Sequence, residues 1–597
     1  MQPRKSRLLR HLAVLGLYLA LTVLMTWPVA VRLDSHIAGF PGDNYVYTWT
    51  LWLFRYSILA GRNPFFTTLI FYPQGVSMVL HSPILTKSIP AFFLQSFLSP
   101  VAAYNLVFMG AVTLTAYGTW LLLRYLVHDD RAAFLGGIIF AFSPVYVAHA
   151  SAGHMNYIGT EYIPFFLLFF LRAFDQHRWH DAALAGMFLS LVSLSNWAYL
   201  LFLFLFLLLH FAINLAMHRC AYLRWPVLRQ HLVLSVVFCL LIAPFAIPLW
   251  EASTSGDYDE TRYIGGAALN VSDLFGFIVP SIYHPIFGNL VQPITSRFTG
   301  NPAENTIFLG FSVLSLAVYG AKRSGWRKAR FWTLTALVFG VFSLGPGLHV
   351  LGYYRFPWLS WMRMGTVAQR LGVPMKPEWV QMFNEAPMIP LPAAVFQLLP
   401  LFRSFRGASR LVVIVMLALA VLAAHGAASL LGQLRGRRWL CLSAPLVCSI
   451  LLCGLVLFEF CVVPFPTTPA VVPEFYQRLH EEPGEFGIVE LPLLPFFAQR
   501  QYHQTIHGKP LAYGYLARVP EDGFAYIDLL EQEVYHPTGY FEAVDIRYLV
   551  LHTDQMPDPP TAESIALLAA LEQNFALLEI TDDGLRIYRA FPSRREP

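Results

Sequence analysis

A carboxylate set directly after a proline-glycine pair, at the head of an aromatic stripe, is the first feature of this chain suited to moving a proton. Asp43 follows Pro41-Gly42 and precedes Asn44. Behind it Tyr45, Trp49, Trp52, Leu53, Tyr56 and Ala60 recur at the spacing of one helical face. An aspartate at a helix start caps backbone N–H groups. A carboxylate so oriented is also placed to take a proton from an incoming hydroxyl. The cap is the commoner use, and the two roles are compatible. An aromatic helix with little charge suits a membrane interface.

Further along, His154 and Glu161 share one connection. Glu161 opens an apolar stretch and reads equally as a second functional acid or as a charge exposed at an interface. Arg403, Arg406 and Arg410 abut the apolar run Leu411–Leu431. Arginine pairs bidentately with phosphate, so the cluster suits either a phosphate-bearing substrate or lipid headgroups. Phe71-Tyr72-Pro73-Gln74-Gly75 reads as a turn. Asp257-Tyr258-Asp259-Glu260 superficially resembles a metal site, but no spacing defines a coordination sphere, so it reads as a solvated acidic loop. The six cysteines lie in or beside apolar segments, without the pairs that hold zinc, and read as small apolar filler.

The elements that must position these groups are membrane helices. Of the 597 residues, 56% are hydrophobic and only 13% charged, against about 25% charged in soluble domains. The apolar residues gather into runs. His11–Ala30 is near the roughly 20 residues a span needs and lacks a cleavage site, so it reads as a retained first helix. Ten more spans follow: Val101–Leu123, Ala132–Ala148, Tyr162–Phe174, Ala182–Ser195, Trp197–Leu215, His231–Trp250, Thr306–Ala321, Phe331–Val350, Leu411–Leu431 and Leu440–Val463. Basic residues alternate with this count. Arg124/Arg131, Arg172/Arg178, Arg219/Arg224/Arg229, Lys322–Arg330 and Arg435–Arg438 fall on one side, with the N-terminal cluster. The short connections of opposite parity, Ser151–Glu161 and Asn196, have no Lys or Arg. By the positive-inside bias the N-terminus is cytoplasmic and the C-terminus lies outside. The expected location is the plasma (inner) membrane. The segment 84–99 is too short to cross and contains Lys87 and Pro90; it reads as an interfacial or re-entrant part of the first outer loop.

The expected architecture is therefore an α-helical polytopic membrane protein with about eleven spans over residues 1–463, outer loops at 31–100, 251–305 and 351–410, and a soluble extracytoplasmic α+β domain over 464–597. Strands are expected at Phe486–Leu491, Tyr548–His552 and around the Asp582-Asp583-Gly584 turn. Helices are expected at Pro473–Glu482, Phe524–Val534 and Thr561–Asn574. Polar complexity is concentrated on the outer face. His503, His507 and nearby tyrosines suit sugar stacking or an ordinary loop-rich surface.

This layout resembles the GT-C superfamily of membrane glycosyltransferases, especially the protein-mannosyltransferase-like and YfhO-like bacterial branches. The resemblance rests on Gly42-Asp43 after the first span, Phe71–Gly75, the run Arg131-Ala132-Ala133-Phe134-Leu135-Gly136-Gly137, and Arg403–Arg410 before a late helix. It implies transfer of a sugar from a polyprenyl-phosphate-linked donor to an acceptor hydroxyl on a glycan, lipid or protein. Asp43 would be the base, Glu161 a second acidic residue and His154 its substitute. Arg403, Arg406 and Arg410 would hold the donor phosphate. Many relatives have paired acids where this chain has Asp43-Asn44. The resemblance admits a divalent metal without requiring one, and nothing points to nucleic acid. Two rivals differ in class. A lipid or polysaccharide flippase would need a polar path through the bilayer, and the spans have almost no ionisable groups. A non-catalytic envelope assembly protein would depend on the segment after Pro464 and tolerate change at Asp43.

Overall fold

The computed structural model describes residues 4–81, 84–218, 222, 224–258, 269–373, 377–398, 407–439, 442–494 and 497–591. Arg403 and Arg406, with Asp259 and Glu260 of the acidic loop, lie outside the described residues. The chain divides into two compact units. One comprises residues 1–31, 106–243 and 260–466; the other comprises 32–105, 244–259 and 467–597.

Every expected span contains a helix. Five helices are long and apolar enough to cross a membrane: Ser6–Met25, Pro100–Val127, Trp197–Met217, Trp225–Thr254 and Ala408–Gln433. Asp130–Ala141 and Pro144–Ser151, bent by 42° at their junction, together make a sixth candidate. The helices at Ile163–Gln176, Trp179–Ser195, Phe311–Ser324, Trp326–Ser343 and Ala444–Glu459 run 14 to 18 residues, so the eleven expected spans contain elements of unequal reach.

In the first unit the helix Val412–Gln433 forms the centre, buried along nearly its whole length. It packs against Phe311–Ser324, Trp326–Ser343 and Asp130–Ala141. Glycines set the closest approach. A Cβ on Gly320 would meet the Leu422 carbonyl at 2.0 Å, and one on Gly426 would meet the Leu316 carbonyl at 2.2 Å. Small residues at such contacts let dispersion and backbone proximity replace the hydrophobic drive that lipid cannot supply.

The second unit joins residues 32–105 to the C-terminal segment. Strand β1 (His36–Ala38) pairs antiparallel with β2 (Thr467–Pro469). A mixed four-stranded sheet follows, from β3 (Gly487–Leu491), β4 (Ile546–His552), β5 (Ala576–Ile580) and β6 (Leu585–Arg589), in the spatial order β3-β4-β6-β5. The β3/β4 pair is parallel and the others antiparallel. Helices at Glu474–Glu481, Ala498–His507, Glu521–Tyr535 and Ala562–Asn574 accompany the sheet, an α+β arrangement. The expected hairpin and helices are present; the helix Ala498–His507 was not anticipated.

The aromatic stripe has a different role from the one its composition suggested. It lies on a helix, Asp43–Leu59. Trp49 and Leu53, however, are buried in one apolar cluster with Phe475, Tyr476, Ile488 and Leu549. Trp49 Nε1 donates to Gln504 Oε1 at 2.6 Å. The stripe faces protein because the helix Ala498–His507 supplies a matching partner. The turn at Phe71–Gly75 serves the same docking: Gly75 N donates to the Phe71 carbonyl at 2.7 Å, and Tyr72 N to the Leu511 carbonyl at 3.2 Å. Segment 84–99 contains a ten-residue helix, Leu85–Leu94, about 15 Å long and too short to span.

Candidate active site

The first unit brings His154 and Arg410 into one polar cluster and adds partners that the sequence did not announce. Arg410 Nε donates to Glu304 Oε1 at 2.7 Å, and a second guanidinium nitrogen donates to the same oxygen. Ser409 Oγ donates to the other carboxylate oxygen at 2.5 Å. The remaining face of the guanidinium lies over the Tyr157 ring, 4.0 Å from its centroid, and also donates to the Tyr157 hydroxyl. His149 stacks on Tyr157 at 5.1 Å, and its Nδ1 is 2.9 Å from Nδ1 of His154. His149 Nε2 is buried, with no hydrogen-bond partner among the described residues.

Local structure explains the placement. Glu304 sits in a four-residue helix, Pro302–Asn305, whose N-cap Asn301 accepts from Glu304 N at 3.1 Å. Asn-x-x-Glu is a readable capping pattern, and it is the signal that would have flagged Glu304. Tyr157 lies in the connection before Glu161, held where Asn196 Nδ2 donates to the Asn156 carbonyl at 3.1 Å. Glu304 is fully buried. Burial opposes its ionisation, but the Arg410 charge and the hydrogen bonds from Arg410 and Ser409 prevail and hold its carboxyl down at about 2. The pair is thus charged on both partners and neutral as a unit. Glu161 is 2% exposed, which removes the reading of it as an interface-exposed charge.

Asp43 belongs to the second unit. The N-cap of its helix is Gly42, at φ 145°, a conformation open to glycine alone among common residues. Asp43 is the first helical residue and is half-buried, so the N-cap reading of its side chain does not hold. Asn44 bonds locally: its Oδ1 accepts from Gly42 N at 3.2 Å and from Tyr45 N at 2.9 Å, while its Nδ2 donates to Thr468 Oγ1 at 2.9 Å. The departure from a paired acid at this position therefore has a structural use. A carboxylate in the first helical turn is favoured by the helix dipole. His81 is buried beside the same helix, its Nε2 3.4 Å from Thr50 Oγ1; burial brings its imidazole down to about 4.

Among the described residues no group of three or more His, Cys, Asp or Glu side chains is arranged to hold a metal ion.

No protein-family model matches the sequence, and no curated protein does. Solved structures do match. Arabinofuranosyltransferase AftD from mycobacteria aligns over 97% of this chain with a TM-score of 0.52 at 12% identity, and the chain spans 40% of AftD's length. The fold is GT-C-like. ArnT from Cupriavidus metallidurans, solved with undecaprenyl phosphate, aligns over 98% of this chain and 99% of its own, with a TM-score of 0.45 at 12% identity. The archaeal oligosaccharyltransferase AglB from Archaeoglobus fulgidus, solved with an inhibitory peptide and a dolichol-phosphate, aligns over 97% of this chain and 74% of its own, with a TM-score of 0.46 at 13% identity. At these identities the likeness is one of fold.

Proposed function

We propose that this protein is a membrane glycosyltransferase that moves a sugar from a polyprenyl-phosphate-linked donor to an acceptor hydroxyl at the outer face of the plasma membrane. The observation that supports this reading most is a GT-C-like fold in which Asp43 opens the largely buried helix Asp43–Leu59. In the proposed reaction Asp43 takes the proton of the acceptor hydroxyl. The oxygen attacks the anomeric carbon and forms the new glycosidic bond. The bond from that carbon to the lipid phosphate oxygen breaks, and the electron pair leaves with the lipid phosphate. Arg403 and Arg406 supply positive charge to the departing phosphate. Arg410, neutralised by Glu304, contributes orientation more than net charge. In this reading Glu161 is the second acidic residue and His154 its substitute. Holding the donor in the bilayer confines the search for a productive geometry.

Asp43→Asn is expected to abolish transfer from a polyprenyl-phosphate-sugar in proteoliposomes while donor binding persists. Transfer at the wild-type rate would remove Asp43 as the base. The proposed sidedness has its own check: cysteines placed in the first outer loop and after residue 467 should both react with an impermeant thiol reagent from outside whole cells. Labelling of only one would separate the loop and tail that this reading puts together.

A further inference from the structure

A cleft of about 810 Å³ opens in the second unit, between the end of strand β3 and the helices Glu521–Tyr535 and Ala562–Asn574. That size lies within the roughly 300–1,000 Å³ of small-molecule sites. Its floor is apolar, with Leu493, Phe497, Val534, Met556 and Leu567 among the lining residues. Three carboxylates, Glu531, Asp554 and Glu563, also line it, and no Lys, Arg or His does. These charges come from three separate chain segments. Two of them converge: Glu531 and Glu563 both act on the Tyr535 hydroxyl, which burial and these charges raise above its usual range. The remaining polar lining is neutral. Gln555 is fixed by Arg500, whose Nη2 donates to it at 2.7 Å. Thr561 caps the helix Ala562–Asn574, accepting from Ser564 N at 3.2 Å.

Such a cleft repels phosphate and attracts cations. Its tyrosine ring offers a flat apolar face, its hydroxyls and amide offer hydrogen bonds to hydroxyl groups, and its carboxylates bond both hydroxyl and ammonium groups. We propose that this cleft binds an amine-bearing saccharide. The binding is independent of the transferase reading, because an anionic lipid donor does not suit this surface.

The test titrates the full-length protein in zwitterionic nanodiscs with three probes by calorimetry: a glucosamine trisaccharide, its N-acetylated counterpart, and trilysine. The glucosamine trisaccharide should bind, and rising salt should weaken it. The acetylated sugar, identical in rings but uncharged, should bind at least about tenfold more weakly, because several charge contacts are lost together. Glu531→Gln, Asp554→Asn and Glu563→Gln should each raise Kd about two- to fivefold. All three side chains are exposed, so the substitutions leave the fold intact. Equal affinity for the acetylated sugar, no response to the three substitutions, or absence of trisaccharide binding would each overturn the proposal. Trilysine binding as tightly as the sugar would make this a peptide site and overturn it as well. A protein that binds the amine sugar yet transfers no sugar keeps this site and loses the transferase assignment.

Discussion

Two buried carboxylates, one in each compact unit, are held ionised by different means. Glu304 has both oxygens bonded, one by Arg410 and one by Ser409. Glu490, on β3 and 2% exposed, accepts from His552 at 3.0 Å through Oε2, with Arg500 Nε at 3.6 Å. Its Oε1 has no hydrogen-bond partner among the described residues. Around Glu490 stand neutral imidazoles. Among the described residues His503 has neither ring nitrogen bonded; it packs 4.7 Å from Tyr476, and His507 stacks on the same ring at 5.3 Å. Burial opposes the charge of Glu490, and the surrounding hydrogen bonds and positive charges overcome it, to about 2. Burial lowers His503 to about 3 and His507 to about 4. A closed pair satisfies every atom of its carboxylate. A crowded polar cluster leaves some unpaired, and unpaired buried atoms are costly.

The largest expected difference is in acid. His81, His503 and His507 are buried neutral, so below 6.5 the unfolded chain binds protons that the folded chain refuses. Stability is therefore lost as pH falls from 6.5 towards the folded values of about 4, 3 and 4, at up to about 1.4 kcal/mol per pH unit for each histidine. Both glutamates are depressed from 4.5 to about 2, so their contributions fade only below 4.5. Hydrogen exchange, corrected for intrinsic rates, should show residues 498–507 losing protection between pH 6.5 and 4.5. Unchanged protection over that range would break the assignment of buried neutral histidines to this helix.

Next in size is removal of the paired cation. Arg410→Met leaves Glu304 buried without its cation, and should cost about 3–5 kcal/mol. Adding Glu304→Gln to it should restore much of that loss, so a double-mutant cycle on thermal unfolding measures the coupling. Additive single effects would mean that the pair is not an energetic unit.

The smallest pair of effects should have opposite signs. Tyr157→Phe strips the acceptor from an Arg410 nitrogen and should destabilise by about 1–3 kcal/mol. His503→Phe replaces two unbonded ring nitrogens with carbon of similar shape. It should be neutral or stabilising by about 1 kcal/mol, and it should move the acid transition to lower pH. Destabilisation by both would show that His503 has bonding that its geometry does not reveal.

Much of the helical scaffold was legible because apolar runs of membrane length have few other uses. The start of the helix at Asp43 was also legible, from Gly42 and the stripe behind it. What the stripe touches was not. Periodicity identifies a face but not its partner, and Gln504 lies 455 residues from Trp49. The arginine cluster was read for its charge, whereas Arg410 is neutralised by a glutamate that only the Asn301-x-x-Glu304 pattern could have indicated. Dividing the chain at residue 463 followed sequence order, while the compact unit draws residues 32–105 and 467–597 together.

That union has a consequence during synthesis. Residues 32–105 are made about 360 residues before the segment that pairs with β1 and covers Trp49. At 5–20 residues per second the interval is roughly 20 to 70 s. Throughout it, a helix with two indoles and two phenol rings on one side must be sheltered by lipid or by a chaperone. A nonsense mutation near codon 466 would thus do more than delete a tail: it would strand an early piece of the protein without its closing half and mark the whole chain for proteolysis.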